Sequence, residues 1–303
     1  MKIPDRRSAA LLAILLSPFS AGLAAGNDCI DSQTALERWR PIREGITEPG
    51  GNANELALEL VPCLGSPDPE LRDRIGYELF AFWLRQEQLS DATRALLLDD
   101  LSARLAERAQ EQTLSRSFSA LVLGEIMRSD ALRPFMNERQ QQALLDAATT
   151  ALKNENDYRG LDAEIGWVHP VAHMSDLLWR FALHPDTGPE QAKQILEALR
   201  SKTAPTAAFY NFNEGDRLAR IVTTLVTRKT IDSTFLIAWI NRFEKPSSME
   251  RWSDAFRSPG GMAELHNTKQ FLRALSDQLD GANVEPEITE ALNQLVQGFT
   301  QLL

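Results

Sequence analysis

From about residue 55 onward, apolar residues recur at spacings of three and four almost without interruption, and alternating runs of valine, isoleucine and threonine are nearly absent. That period places one apolar stripe along a helix, so the chain is predicted to be all-α. Three helix starts stand out at Asp68-Pro69-Glu70, Gly188-Pro189-Glu190 and Glu285-Pro286-Glu287. Proline suits a first helical turn, where its missing N–H costs nothing, and strong helices are expected to begin near 69, 188 and 286.

A longer period lies above the helical one. Comparable helices open near Leu71-Arg72-Asp73, Arg116-Ser-Phe-Ser119, His169-Pro170, Gly215-Asp-Arg-Leu218 and Asn267-Thr-Lys-Gln270, which are 45, 53, 46 and 52 residues apart. Second helices are expected between and after them, near 91–109, 138–153, 189–201, 231–243 and 286–301. This is the period of armadillo- and HEAT-like α-α superhelices, in which each helix pair buries its apolar face by stacking on the next. About five pairs forming one domain over 26–303 are expected, as a solenoid or, alternatively, as an α/α toroid of the same hairpins. The loose stretches are 41–54 and 245–264, where proline and glycine gather.

The N-terminus changes the setting. Lys2, Arg6 and Arg7 precede an apolar run from Ala9 to Leu16 and the small residues Ser20-Ala-Gly-Leu-Ala-Ala25, the pattern of a signal peptide over 1–25. Cleavage near Ala25 would make the protein periplasmic or secreted, with no membrane span. In an oxidising compartment the two cysteines, Cys29 and Cys63, read as one disulfide. Removal of residues 1–25 takes away three cations and Asp5, so the formal net charge of −10 becomes −12. That balance argues against nucleic acid or an anionic membrane as the main partner and leaves small cationic ligands or a basic protein.

One window is dense in chemistry. Asp157 to Asp176 holds two of the four histidines, His169 and His173, with Arg159, Asp162, Glu164 and Trp167. Pro170 suits a first helical position, which makes His169 the cap and puts His173 and Asp176 on the following turns. Offsets of four and seven residues return to within roughly 40° on a helix. His169, His173 and Asp176 could thus hold a divalent metal, with Asp162 or Glu164 as general base, in a hydrolase or lyase acting on a cell-envelope polymer. A metal-free groove, lined also by Arg72, Arg116, Asp157, Arg159, Trp167, Asp216 and Arg217, would instead bind a ligand or a partner's peptide. A third reading is a purely structural network, in which Asp176 pairs with Arg180 along the helix and His173 is a satisfied core histidine. The Gly-x-Ser-x-Gly and His-Glu-x-x-His motifs and phosphate-binding glycine loops are missing, which removes the common serine hydrolase, zincin and nucleotide-binding readings.

Leu71-Arg72-Asp73, Arg116-Ser-Phe-Ser-Ala-Leu121, Asp157-x-Arg-Gly160, Gly166-Trp-x-His169, Ala172-His173, Asp176 and Asp216-Arg-Leu218, in this order and spacing, resemble domain-of-unknown-function family 2785. The similarity runs over roughly residues 55–280. It implies an all-helical, armadillo-like repeat fold and no established activity.

Overall fold

The computed structural model describes Cys29, residues 32–45 and residues 52–301, so the signal peptide expected at 1–25 lies outside the described residues. The chain folds into α1 (Ser32–Glu44), α2 (Ala53–Leu60), α3 (Glu78–Arg85), α4 (Asp91–Ala106), α5 (Thr113–Leu132) and α6 (Glu138–Asn154), followed by α7 (Pro170–Leu183), α8 (Pro189–Arg200), α9 (Glu214–Thr227), α10 (Ser233–Asn241), α11 (Pro259–Leu279) and α12 (Pro286–Thr300). A π-helical stretch, Glu70–Tyr77, leads into α3. Two-residue strands β1 (Leu161–Asp162) and β2 (Gly166–Trp167) pair antiparallel between α6 and α7. The fold is all-α.

The helices form two rows. In the odd row α3 packs on α5, α5 on α7, α7 on α9 and α9 on α11; in the even row α4 packs on α6 and α6 on α8, with α10 on α12. The Trp239 indole of α10 donates to the Leu196 carbonyl of α8 at 3.0 Å, which joins the two parts of the even row. The rows are laid together through α4 on α5, α6 on α7 and α11 on α12. Among the described residues α1 and α2 do not pack on α11 or α12, so the rows remain open at both ends.

The sequence explains this order. An odd-row helix is covered on three sides, and α5 accordingly buries Phe118, Ala120, Val122, Leu123, Ile126 and Met127, which leaves a narrow solvent stripe. Each large apolar side chain so buried contributes about 1.5 to 3 kcal/mol. The starts expected near 69, 188 and 286 are found at Glu70, Pro189 and Pro286. The cystine also forms, Cys29 joining Cys63 in the turn after α2 with Cα atoms 5.1 Å apart.

Two expectations about loose segments need correction. Helix α1 runs through Pro41 to Glu44, well into the stretch read as loose. Helix α11 begins at Pro259, not near Asn267, because Ser258 caps it by accepting from the Gly261 N–H while Pro259 takes the first position. The Gly260-Gly261 pair looked like a breaker, yet Gly261 is a close-approach residue: a Cβ there would lie 2.7 Å from the Ala255 carbonyl oxygen.

Candidate functional site

The stretch before α3 and the starts of α5 and α9 meet the 157–169 segment, which folds as a small hairpin leading into α7. It is fixed by backbone bonds, Val168 N–H to the Gly160 carbonyl at 2.9 Å and His169 N–H to the Arg159 carbonyl at 3.1 Å. His169 is the cap of α7, as expected, but in the left-handed region with φ 45° and ψ 43°. That conformation costs a non-glycine residue of order 1 to 3 kcal/mol and persists only where the surroundings impose it. Here the imidazole is fixed by stacking on Trp167, centroids 4.9 Å apart, and by the edge of Phe212 at 6.1 Å.

The hydrogen bonds decide where the protons sit. His169 Nε2 faces two acceptors, the Phe212 carbonyl at 3.1 Å and Glu214 Oε1 at 3.3 Å, so this nitrogen carries a proton. Ser117 Oγ lies 2.6 Å from the Val168 carbonyl and 2.8 Å from His173 Nδ1. A carbonyl only accepts, so the single hydroxyl proton goes to Val168 and His173 Nδ1–H donates to Ser117. Neutral His173 therefore keeps its lone pair on Nε2. Burial, reinforced by His169, Arg217 and Arg72, holds the His173 imidazole well below the usual histidine range, so it is neutral at physiological pH. Among the described residues His173 Nε2 has no hydrogen-bond partner and is not sealed from solvent. Ser117 is fully buried with its proton committed to a backbone carbonyl, an arrangement unsuited to nucleophilic attack.

Around this pair the electrostatics are settled by contacts. Burial pushes the Glu214 carboxyl up, but His169 and the Phe212 N–H outweigh it and hold it below its ordinary range. Arg72 is fully buried, donating to Asp73 at 2.7 Å and to the carbonyls of Ser66 and Ile165 at 3.0 and 2.9 Å, with its guanidinium over Phe118. Phe118 in turn packs edge-on against His173 at 4.9 Å. Arg72 thus ties the hairpin to the stretch before α3.

Not every candidate gathers here. Both oxygens of Asp176 are taken by guanidiniums of α9, Arg217 and Arg220. The His169 and His173 rings are 5.8 Å apart, but among the described residues no group of three histidine, cysteine, aspartate or glutamate side chains is placed to hold a metal ion. The expected Asp176–Arg180 pair does not form either, since Arg180 reaches across to Glu125 of α5 at 3.3 Å. Asp162 caps the hairpin turn by accepting from the N–H groups of Glu164 and Ile165 at 2.9 and 3.2 Å; these bonds hold its carboxyl below the ordinary range, a poor general base, and Glu164 is exposed. Arg159 binds Asp157 on the surface. Arg116 turns away to a buried pair with Glu155 at 2.9 Å, and Asp216 is exposed.

The sequence reading missed Ser117, Glu214, Glu125 and Arg220. Ser117 was legible as part of Arg116-Ser-Phe-Ser, one turn into a helix that had to face the histidines. A cleft of about 820 Å³ lies elsewhere, between the C-terminal ends of α4 and α6, where it is lined by Arg108, Arg116, Lys153 and Glu155. Neither His169 nor His173 lines it.

No curated protein and no solved structure matches the chain. Among the described residues no helix is long and apolar enough to cross a membrane. A family model does match residues 101–276, which includes α5, α7, α9, the hairpin and both histidines but begins after Arg72 and Asp73. The chain belongs to DUF2785, a family described as proteins of unknown function.

Proposed function

We propose that this is an exported binding module whose ligand or partner peptide seats on the Trp167–His169 surface beside His173. The observation that carries the reading is a solvated aromatic plate with fixed polar atoms next to it. Trp167 is 42% exposed, too much for a residue whose role is packing, yet it is stacked on a histidine clamped by two further contacts. Leu161, paired opposite Trp167 in the hairpin, is also exposed, and His173 Nε2 supplies an acceptor in a defined tautomer. Rigid aromatic surface with a few oriented polar groups is the usual composition of a recognition site. Export rests on the N-terminal sequence pattern and fits the disulfide.

The test uses fluorine NMR of protein labelled with 5-fluorotryptophan, the Trp167 resonance being assigned with Trp167→Phe. Peptide and glycan fractions of a cell-envelope digest are added in turn. The expected result is a shift of the Trp167 resonance by one fraction, lost in His173→Ala. A Trp167 resonance unmoved by every fraction overturns the reading. Export is tested separately by N-terminal sequencing of protein from the periplasm, which should begin near residue 26.

A further inference from the structure

The solvent side of the odd row carries a charge pattern opposite to that of the whole chain. The helices α3, α5, α7 and α9 contain no lysine, and Arg85, Arg128, Arg180, Arg217 and Arg220 stand at partly or fully solvent-exposed positions on them. Two carboxylates hold four of these: Glu125 takes Arg85 and Arg180, and Asp176 takes Arg217 and Arg220. Each carboxylate is buried or mostly so, with side-chain exposures of 3% and 19%, whereas the four guanidiniums are 22% to 46% exposed. Arg128 has no ion-pair partner among the described residues; of the other acids on these helices, Glu78 is paired with Arg43 of α1, Asp130 and Glu214 are buried against His184 and His169, and Asp216 is exposed. The strip is therefore net positive on a chain of formal charge −10.

From this geometry we infer that the odd-row face binds an acidic peptide segment whose carboxylates complete the pairing of these arginines. The inference rests on the binding-module reading and names the chemistry of the partner. The strip adjoins the proposed seat, because Asp176 lies one turn after His173 on α7 and Arg217 one turn after Glu214, the partner of His169, on α9. Two guanidiniums on one carboxylate leave an uncompensated charge, and a planar guanidinium fork accepts a second carboxylate in the same plane. Burial, and the neighbouring Arg217 and Arg180, hold the Arg220 guanidinium below its ordinary pKa, and its buried Nε–H has no acceptor among the described residues.

Polypeptide is favoured over acidic polysaccharide by what ends the strip. Leu132 and Leu183, at the C-terminal ends of α5 and α7, are 65% and 40% exposed, and aliphatic side chains offer a contact to peptide residues that a uronate chain lacks. The chain's overall negative charge does not oppose this, since charges beyond about 8 Å are largely screened at physiological salt.

Fluorescence anisotropy with a fluorescein-labelled peptide of alternating glutamate and leucine tests the inference, beside an alternating lysine–leucine peptide and labelled polygalacturonate. The expected result is binding of the glutamate peptide alone, weakening as salt is raised, and at least about tenfold weaker in the double variant Arg128→Gln, Arg217→Gln. Arg128→Gln breaks no ion pair, so it is measured by itself as a variant whose fold is not at risk, and about a threefold loss is expected. Binding that ignores both variants, preference for the lysine peptide, or capture of polygalacturonate in place of the peptide would each refute it. Loss of peptide binding in Trp167→Ala with no effect of the arginine variants refutes the acidic partner and leaves the binding module standing. Retained binding in Trp167→Ala with loss in the arginine variants does the reverse.

Discussion

Ser117→Ala is the most direct probe of the histidine pair. The hydroxyl serves two buried groups, the Val168 carbonyl at 2.6 Å and the His173 Nδ1–H at 2.8 Å, and Ser117 and Val168 are both fully buried. Alanine is smaller than serine, so no clash arises and backbone strain is not introduced. What is lost is the partner of a buried acceptor and of a buried donor, each costing about 1 to 3 kcal/mol when unsatisfied. Some relief comes if His173 moves its proton to Nε2, which removes the orphaned donor but not the orphaned carbonyl. A net cost of about 2 to 4 kcal/mol follows, or a fall in melting temperature of about 4 to 10 °C for a domain of this size. Circular dichroism melting gives the stability. Long-range nitrogen–proton NMR on labelled imidazole gives the tautomer, Nδ1–H in the native protein and Nε2–H in the variant. A melting temperature within about 1 °C of native, or an Nε2–H tautomer in the native protein, would show that Ser117 does not set the proton on His173.

Three further outcomes are expected. Asp130, fully buried, accepts from the N–H groups of Phe135 and Met136 and from Gln141, and faces His184 Nε2 at 3.2 Å. Burial raises its pKa, but the His184 contact and these bonds prevail and hold it at about 2. Because the folded pKa is depressed, the contribution is complete above about pH 4 and is lost as pH falls toward 2. It amounts to about 2 kcal/mol, visible as a flatter acid limb of stability against pH in Asp130→Asn. Gly160→Ala places a methyl 1.9 Å from Phe212 Cδ2, which must displace the ring that holds His169. A loss of about 1 to 3 kcal/mol and a shift in the Trp167 fluorine resonance are expected. Cys63→Ser, or reduction, opens a loop closed across 34 residues and should lower the urea midpoint by the equivalent of about 3 to 4 kcal/mol, with reductant having no further effect on the variant.

The fold was more legible than the site. Proline at first helical turns and the three-and-four period report local physics, and they placed α8 and α12 at Pro189 and Pro286. The start of α11 was not legible, since Gly261 is needed by a contact with Ala255 that lies six residues away in sequence and across a bend. Within the site, His169 as cap followed from Pro170, whereas its left-handed backbone depends on stacking with Trp167 and Phe212. Asp176 shows the limit most clearly. Its spacing to His169, His173 and Arg180 is a property of one helix, but its partners, Arg217 and Arg220, come from the neighbouring helix, whose rotation no local pattern specifies. Net charge is blind in the same way, because an average over the chain hides an arginine strip assembled from four helices.

The open two-row stack also sets where the molecule comes apart. Each helix leans on its neighbours in sequence order, so opening can begin at α1 or at α12 and travel inward one hairpin at a time. The helices α5, α7 and α9, which hold His173, Ser117 and Glu214, are the ones reached last from either side. Amide exchange should therefore be fastest in the outermost hairpins and slowest in α5 and α7. A protease that trims the ends would leave a shortened protein with its histidine pair still assembled.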